Sequence, residues 1–278
     1  MNRKISLSGT GGSVTVDQKE IVKRYNKYAR PLITVGFDDG FASDYTIAFP
    51  ILQHNGIRGT SWVNKNRSGY AGQLLTDVQM KEMADAGHEM ACHTVSHLNL
   101  TDLTEAQIIN EFKENKAWIE SITGKTVYTH VYPYGGVNDT VANLCGAFYE
   151  GARSYDPSSV LSEDTGYYMP YGHKDLYRIP GQFIENRTVA LLKSHVDDFL
   201  TWCDTNGGGL YVLTWHKIYG DSEEDKPDNR WTESQFQEMM EYLSALKKVG
   251  DVDVIPFYES VRRIQHYQYA DLDSMPQY

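Results

Sequence analysis

The chain predicts an α/β fold built on a mostly parallel sheet. Short apolar runs alternate with helix-like stretches from Pro31 nearly to the C-terminus. Each run is followed by turn or capping residues, and the polar residues with distinctive chemistry fall just past the ends of the runs. Pattern alone does not separate an open doubly wound sheet from a closed barrel.

The elements follow in order. ISLSGTGGSVTV, within residues 1–30, reads as two short strands around a glycine-rich turn, and DQKEIVKRYNKYAR as a polar helix; together they form an N-terminal arm. LITVGF (32–37) is an apolar strand, and SDYTIAFPILQHNG is a helix ending in Asn-Gly. GTSWVN (59–64) and HEMAC (88–92) are strands on either side of TDVQMKEMADAG (76–87), which has a Thr/Asp cap and a terminal glycine. TEAQIINEFKENKAWIESITG (104–124) places Ile108, Ile109, Phe112, Trp118, Ile119 and Ile122 at helical spacing. TVYTHVY (126–132) is a strand and VNDTVANLCGAFYEG a helix, with short strands expected at GARSY (151–155) and YRIP (177–180). A helix at 188–207, the strand GLYVLTW (209–215), a helix at 232–250, the strand DVIPF (253–257) and a short final helix complete the pattern. The expected organisation is an arm over 1–30, a main α/β domain over 31–266 and a tail over 267–278.

Composition narrows the function. The balance of 26 basic against 37 acidic residues, net −11, argues against nucleic acid or an anionic membrane surface as partner. Cys92, Cys145 and Cys203 are widely spaced and read as buried free thiols rather than a disulfide framework. No apolar run approaches the roughly 18 residues of a membrane span. The basic N-terminus lacks an apolar core, so no secretory signal is expected. The chain as written is expected in the cytoplasm; action at the cell envelope would need another export route or a leader already removed. Oligomeric state is left open.

The chemistry-bearing residues fall at four strand ends. Asp38 and Asp39 follow LITVGF, His93 and His97 follow HEMAC, Pro133, Tyr134 and Gly135 follow TVYTHVY, and His216 follows GLYVLTW. In parallel α/β architectures that edge is where sites assemble. HTVSH has metal-ligand spacing, and a strand-end carboxylate would complete a two-histidine, one-carboxylate site. Thr94 occupies the position a glutamate base holds in HExxH proteases, so the base must come from elsewhere. With Asp39 on a cation, Asp38 is left as base towards an activated water, and His216 as the acid for the leaving group.

Taken together, VGFDDG (35–40), GHE (87–89) before His93-Thr94-Val95-Ser96-His97, Val131-Tyr132-Pro133-Tyr134-Gly135 and Leu213-Thr214-Trp215-His216 resemble the motifs of the polysaccharide deacetylases, the NodB homology domain of carbohydrate esterase family 4. The resemblance runs over roughly residues 31–260. It implies a distorted (β/α)7–8 TIM-like barrel and a divalent metal, zinc first, with cobalt, nickel or iron(II) as alternatives. It also implies Asp38 as base, Asp39, His93 and His97 as metal ligands, His216 as acid, and the Tyr134 backbone N–H as oxyanion donor. The reaction implied is hydrolytic removal of acetyl groups from an N-acetylated carbohydrate such as peptidoglycan, a chitin-like oligomer or an exopolysaccharide.

Two departures stand out. The arginine of the third motif is Val131 here, and the fourth motif is not visible. Arg153, at the next strand end, is expected to supply the missing guanidinium to Asp38; His130 is the weaker candidate. Tyr132, Pro133, Tyr134 and Trp215 are expected around the substrate, with Tyr219 and the tyrosine-rich loop DTGYYMPYGHKD (164–175), because flat amphipathic rings suit sugar faces. His54, His173, His195 and His266 read as structural or surface residues. An O-acetyl esterase acting on xylan, an iron oxygenase and a catalytically weak glycan-binding module remain the alternatives.

Overall fold

The computed structural model describes residues 4–9, 12–17, 30–66, 73–155, 168–171, 173–184, 187–224 and 230–269. The N-terminal hairpin forms as expected. β1 (Lys4–Gly9) pairs antiparallel with β2 (Gly12–Asp17), setting Ile5 opposite Val16 and Leu7 opposite Val14. The helix expected over DQKEIVKRYNKYAR and the tail beyond Tyr269 lie outside the described residues.

The main sheet is a nearly closed barrel. β3 (Leu32–Asp38), β4 (Thr60–Val63), β5 (Glu89–Cys92), β6 (Thr129–Val131), β7 (Gly151–Ser154), β9 (Ile179–Pro180), β10 (Gln182–Phe183) and β11 (Gly209–Trp215) pair in parallel in the order β10-β11-β3-β4-β5-β6-β7-β9. The chain passes from β9 to β10 across Gly181 alone, so a single residue joins the two edges of the sheet. This matches the distorted barrel expected. β12 (Asp253–Val254) pairs with the first residues of β3, and β8 (Tyr168–Pro170) runs antiparallel on β11.

Helices cover the outside: α1 (Phe49–His54), entered through a π-helical turn at Asp44–Ala48, then α2 (Asp77–Asp85), α3 (Glu105–Thr123), α4 (Asp139–Cys145), α5 (Val189–Asn206) and α6 (Glu233–Val249). Reciprocal threonine–glutamine capping boxes start α2, α3 and α6, satisfying N–H groups that would otherwise lack acceptors. The final helix, α7 (Phe257–Tyr269), instead packs against the barrel interior.

Strand alternation sorts the core into layers. Ile33, Val35, Phe37, Tyr211, Leu213 and Trp215 point outward and pack on α5 and α6. Met90, Cys92, Tyr132 and Ala152 point outward onto α2, α3 and α4. Leu32, Trp62, Ala91, Val131, Ile179, Leu210 and Val212 point inward, where Phe257, Val261 and Ile264 of α7 fill the space between them.

Several boundaries differ from expectation. Tyr168–Pro170, expected within a loop, is a strand because its backbone completes the free stretch of β11. The strand expected over 253–257 stops at Val254, where Pro256 lacks a donor and Phe257 opens a helix. That helix reaches Tyr269, so residues 267–269 of the expected tail are helical. The three cysteines are free and buried.

Candidate metal centre and active site

The strands deliver their polar residues to one mouth of the barrel by simple phase. Along β3 the inward positions are Leu32, Thr34, Gly36 and Asp38; continuing β5 inward gives Glu89, Ala91 and His93. Inward positions on β7 end at Arg153, and those on β11 continue to His216. The mouth opens as a cavity of about 780 Å³ lined by Asp38, Asp39, His93, His97, Tyr134 and His216 among others.

Asp39 leaves the strand with φ 78°, a left-handed conformation that aspartate tolerates better than most residues. Thr94, His97 and Tyr134, the other described non-glycine residues with positive φ, belong to the same mouth. Left-handed backbone collected this way signals a geometry held for its side chains. The holding groups come from α3. Asn115 donates to Thr94 O, and Glu111 Oε2 accepts from Val95 N at 2.7 Å and Ser96 N at 2.9 Å. His97 N bonds Thr94 Oγ1 at 3.0 Å, closing the HTVSH turn.

Three donor atoms converge as a result. His93 Nε2 and His97 Nε2 are 3.1 Å apart and lie 3.4 Å and 3.3 Å from Asp39 Oδ1. The His93 Nδ1–H donates to Val131 O at 2.9 Å, which turns the lone pair of Nε2 towards the other two ligands. His97 Nδ1 meets the Tyr134 hydroxyl at 3.3 Å, and Asn64 donates to Asp39 Oδ1 at 3.3 Å. Two imidazoles and a carboxylate on one small triangle fit a divalent cation by donor type and by orientation.

Asp38 is held apart from that triangle. Arg153, fully buried, ion-pairs with Asp38 Oδ2, while Oδ1 has no hydrogen-bond partner among the described residues. The guanidinium sits over the Trp62 ring at 5.0 Å and over Phe183 at 5.3 Å. Gly36 makes room for that indole, since a Cβ there would collide with the six-membered ring of Trp62. Gly181, at the barrel seam, likewise abuts the Arg153 side chain. The guanidinium is thus beside Asp38, as position alone had suggested.

Across the cavity, His216 Nε2 lies 3.8 Å from Asp39 Oδ2 and its ring stacks on Phe183. Asp44, wholly buried beneath, has its carboxyl pushed well above the usual range by burial, offset in part by a hydrogen bond from Ser61.

The aromatic residues divide. Tyr134 is 73% exposed at the rim, and Tyr219 also lines the cavity. Trp215 does not present an open ring face, being buried against Trp231 and Phe236, whereas Tyr132, though 2% exposed and packed on His130, still contributes to the cavity lining. Each is one residue out of phase with the inward column, which turns it into the helix layer. His130 is out of phase for the same reason and packs on Phe112 and Tyr149, away from Asp38. Pro133 is buried in the turn that presents Tyr134. Phe183, Trp62, Asn64, Glu111 and Asn115 were not singled out in the sequence. The last two carried a signal, as polar residues interrupting the apolar stripe of α3.

A parallel barrel with such a triangle at its C-terminal mouth, and a separately held carboxylate and imidazole beside it, defines an α/β barrel protein with a candidate metal site. Comparison shows what the chain is similar to. Residues 25–148 match the polysaccharide deacetylase family model. The Bacillus subtilis (strain 168) protein YxkH, itself a suggested polysaccharide deacetylase, is 29% identical over 161 residues, covering 56% of this chain and 57% of that protein. A poly-β-1,6-N-acetyl-D-glucosamine N-deacetylase of Staphylococcus aureus (strain MSSA476) is 26% identical over 167 residues, covering 53% and 56%. The chain therefore spans about half the length of the curated relatives it matches. Among solved structures, the Xyl-CE4 domain of a multidomain xylanase from the hindgut metagenome of Trinervitermes trinervoides superposes with TM-score 0.53 at 17% identity, covering 84% of this chain and 91% of that one, and shares the fold. Among the described residues, no helix is long and apolar enough to cross a membrane.

Proposed function

We propose that the protein is a metal-dependent hydrolase that removes the acetyl group from an N-acetylated carbohydrate. One observation carries this reading. Asp38 is a buried carboxylate with one oxygen tied to Arg153 and the other left for a proton, set beside a separate triangle of metal-type donors.

Asp39, His93 and His97 would hold the cation, zinc being the best match to two imidazoles and one carboxylate. Its contribution when bound is Lewis acidity towards the amide carbonyl and the attacking water. The chain's own residues do the rest. Asp38 Oδ1 takes the proton as water oxygen bonds to the carbonyl carbon. Arg153 keeps Asp38 in place and balances its charge while it is ionised. The backbone N–H of Tyr134, in its left-handed turn, faces the developing oxyanion. His216 donates a proton to the amide nitrogen as the C–N bond breaks, leaving acetate and a free amine. The exposed Tyr134 ring and Tyr219 offer flat surfaces to sugar rings. A β-linked N-acetylglucosamine polymer is the substrate to try first, since an N-deacetylase of such a polymer is among the relatives.

The test is acetate release from β-1,6- and β-1,4-linked N-acetylglucosamine oligomers, peptidoglycan and acetylated xylan, assayed side by side. Release from an N-acetylated member is expected, lost on chelation and restored by zinc. Asp38→Asn should keep its metal and lose release by at least about 10²-fold, as expected for a missing general base. Release from acetylated xylan alone would make the protein an O-acetyl esterase, and undiminished release by Asp38→Asn would remove the base assignment.

A further inference from the structure

We propose that Phe183 is a positioning residue shared by the two proton-handling groups, one ring that fixes both the His216 imidazole and the guanidinium holding Asp38. Phe183 is the second residue of β10, immediately past the barrel seam at Gly181. Its ring stacks on His216 with centroids 5.2 Å apart and planes 22° from parallel. The Arg153 guanidinium carbon lies over the same ring at 5.3 Å, and Tyr155 packs against it at 4.9 Å.

Each contact has a reason to matter. The side chain of His216 is 32% exposed beyond the last residue of β11, so its ring plane needs lateral support. Arg153 has Trp62 on its ring-facing side and Asp38 at its tip, and Phe183 supplies a second aromatic contact. A phenyl ring can neither exchange a proton nor hold a metal, so any effect on the reaction passes through these neighbours. Base and acid act on opposite ends of the bond being broken, and a common wall keeps their separation constant. Supplying that wall from a two-residue strand at the seam ties it to the closure of the barrel.

The kinetic arm of the test rests on the deacetylase reading, while the spectroscopic arm does not. In the metal-loaded protein, Phe183→Leu should lower kcat about tenfold with KM changed by less than about twofold, the split expected when orientation rather than binding is lost. Phe183→Tyr and Phe183→Trp should restore most of the rate, because either keeps a flat ring in place. By NMR, the Hδ2 and Hε1 resonances of His216 should move downfield in Phe183→Leu, away from the ring current, and stay near wild type in Phe183→Tyr. Phe183→Met, of similar volume without a ring, replaces the leucine variant if that fails to fold. A leucine variant with wild-type kcat, a raised KM at unchanged kcat, or His216 resonances that do not move would each overturn the assignment. If the wild-type protein releases no acetate from any substrate, the deacetylase reading fails and the His216 resonances alone decide the role of Phe183.

Discussion

At the scale of single residues, the Asp38–Arg153 pair is an ion pair buried at the mouth of the barrel. Both side chains are out of solvent, at 3% and 0% exposure, so each charge depends on the other for compensation. A buried pair need not stabilise a fold more than well-packed apolar residues would, but breaking one is costly. Arg153→Met should therefore destabilise the protein by about 3–5 kcal/mol in urea unfolding. Adding Asp38→Asn to it should recover part of that loss, because no charge is then left unpaired. Equal losses in the single and double variants would show that Arg153 acts by filling space. The cage of Trp62, Phe183 and Gly181 explains why lysine is a poor substitute, as a point charge does not stack as a planar guanidinium does.

At the scale of elements, strand phase explains both what could be read in advance and what could not. The inward column of β11 runs Leu210, Val212, Thr214, His216, so the residue that ends it reaches the mouth while its neighbour Trp215 enters the helix layer. The motif residues Asp38, Asp39, His93, His97 and His216 were legible because each stands at the C-terminal end of a recognisable apolar run. Trp215 was misjudged because closeness in sequence was weighed above alternation. Phe183 was invisible because β10 has only two residues and therefore no pattern to read. The start of β5 sets a pH response at the opposite mouth. Burial, with a smaller effect of Arg58, pushes the His88 imidazole down from 6.5 to about 4; burial pushes the Glu89 carboxyl up from 4.5 to about 7, against donors Thr129, Tyr258 N and Thr60. Between about 4 and 6.5 the unfolded chain binds more protons at His88 than the folded one, so that group makes stability rise with pH. Between 4.5 and about 7 the folded chain binds more at Glu89, so that group makes stability fall. The two slopes oppose each other where the windows overlap. Relative to wild type, His88→Gln should lose stability from pH 4.5 to 6.5 and Glu89→Gln should gain it, each by about 2 kcal/mol in denaturant titrations. Parallel pH curves for the two variants would contradict the assignment.

At the scale of the whole molecule, the barrel separates the candidate site at one mouth from closure at the other, with a column of side chains through Phe257, Trp62 and Arg153 joining them. The N-terminal mouth is closed by α7. Phe257 N donates to Thr60 Oγ1 at 2.8 Å, Thr60 Oγ1 donates to Glu89 Oε2 at 2.9 Å, and Tyr258 N donates to the same oxygen at 2.9 Å. Thr129 completes the set through Glu89 Oε1 at 2.6 Å. These bonds fix where α7 starts, but none of their side chains lines the cavity at the other mouth. The Phe257 ring is different: it meets Trp62 edge-on at 5.4 Å, and Trp62 carries the Arg153 guanidinium at 5.0 Å. Two variants should therefore part company. Thr60→Val leaves buried polar groups short of partners and should cost about 1–3 kcal/mol, with kcat for acetate release unchanged. Phe257→Leu removes the ring that braces Trp62 and should cost a similar amount while lowering kcat several-fold, because the loosened indole no longer fixes Arg153 and, through it, Asp38. Unfolding midpoints and steady-state rates measured on the same preparations decide the matter. If both variants lose stability and neither loses rate, the column through Trp62 carries no strain from one mouth to the other.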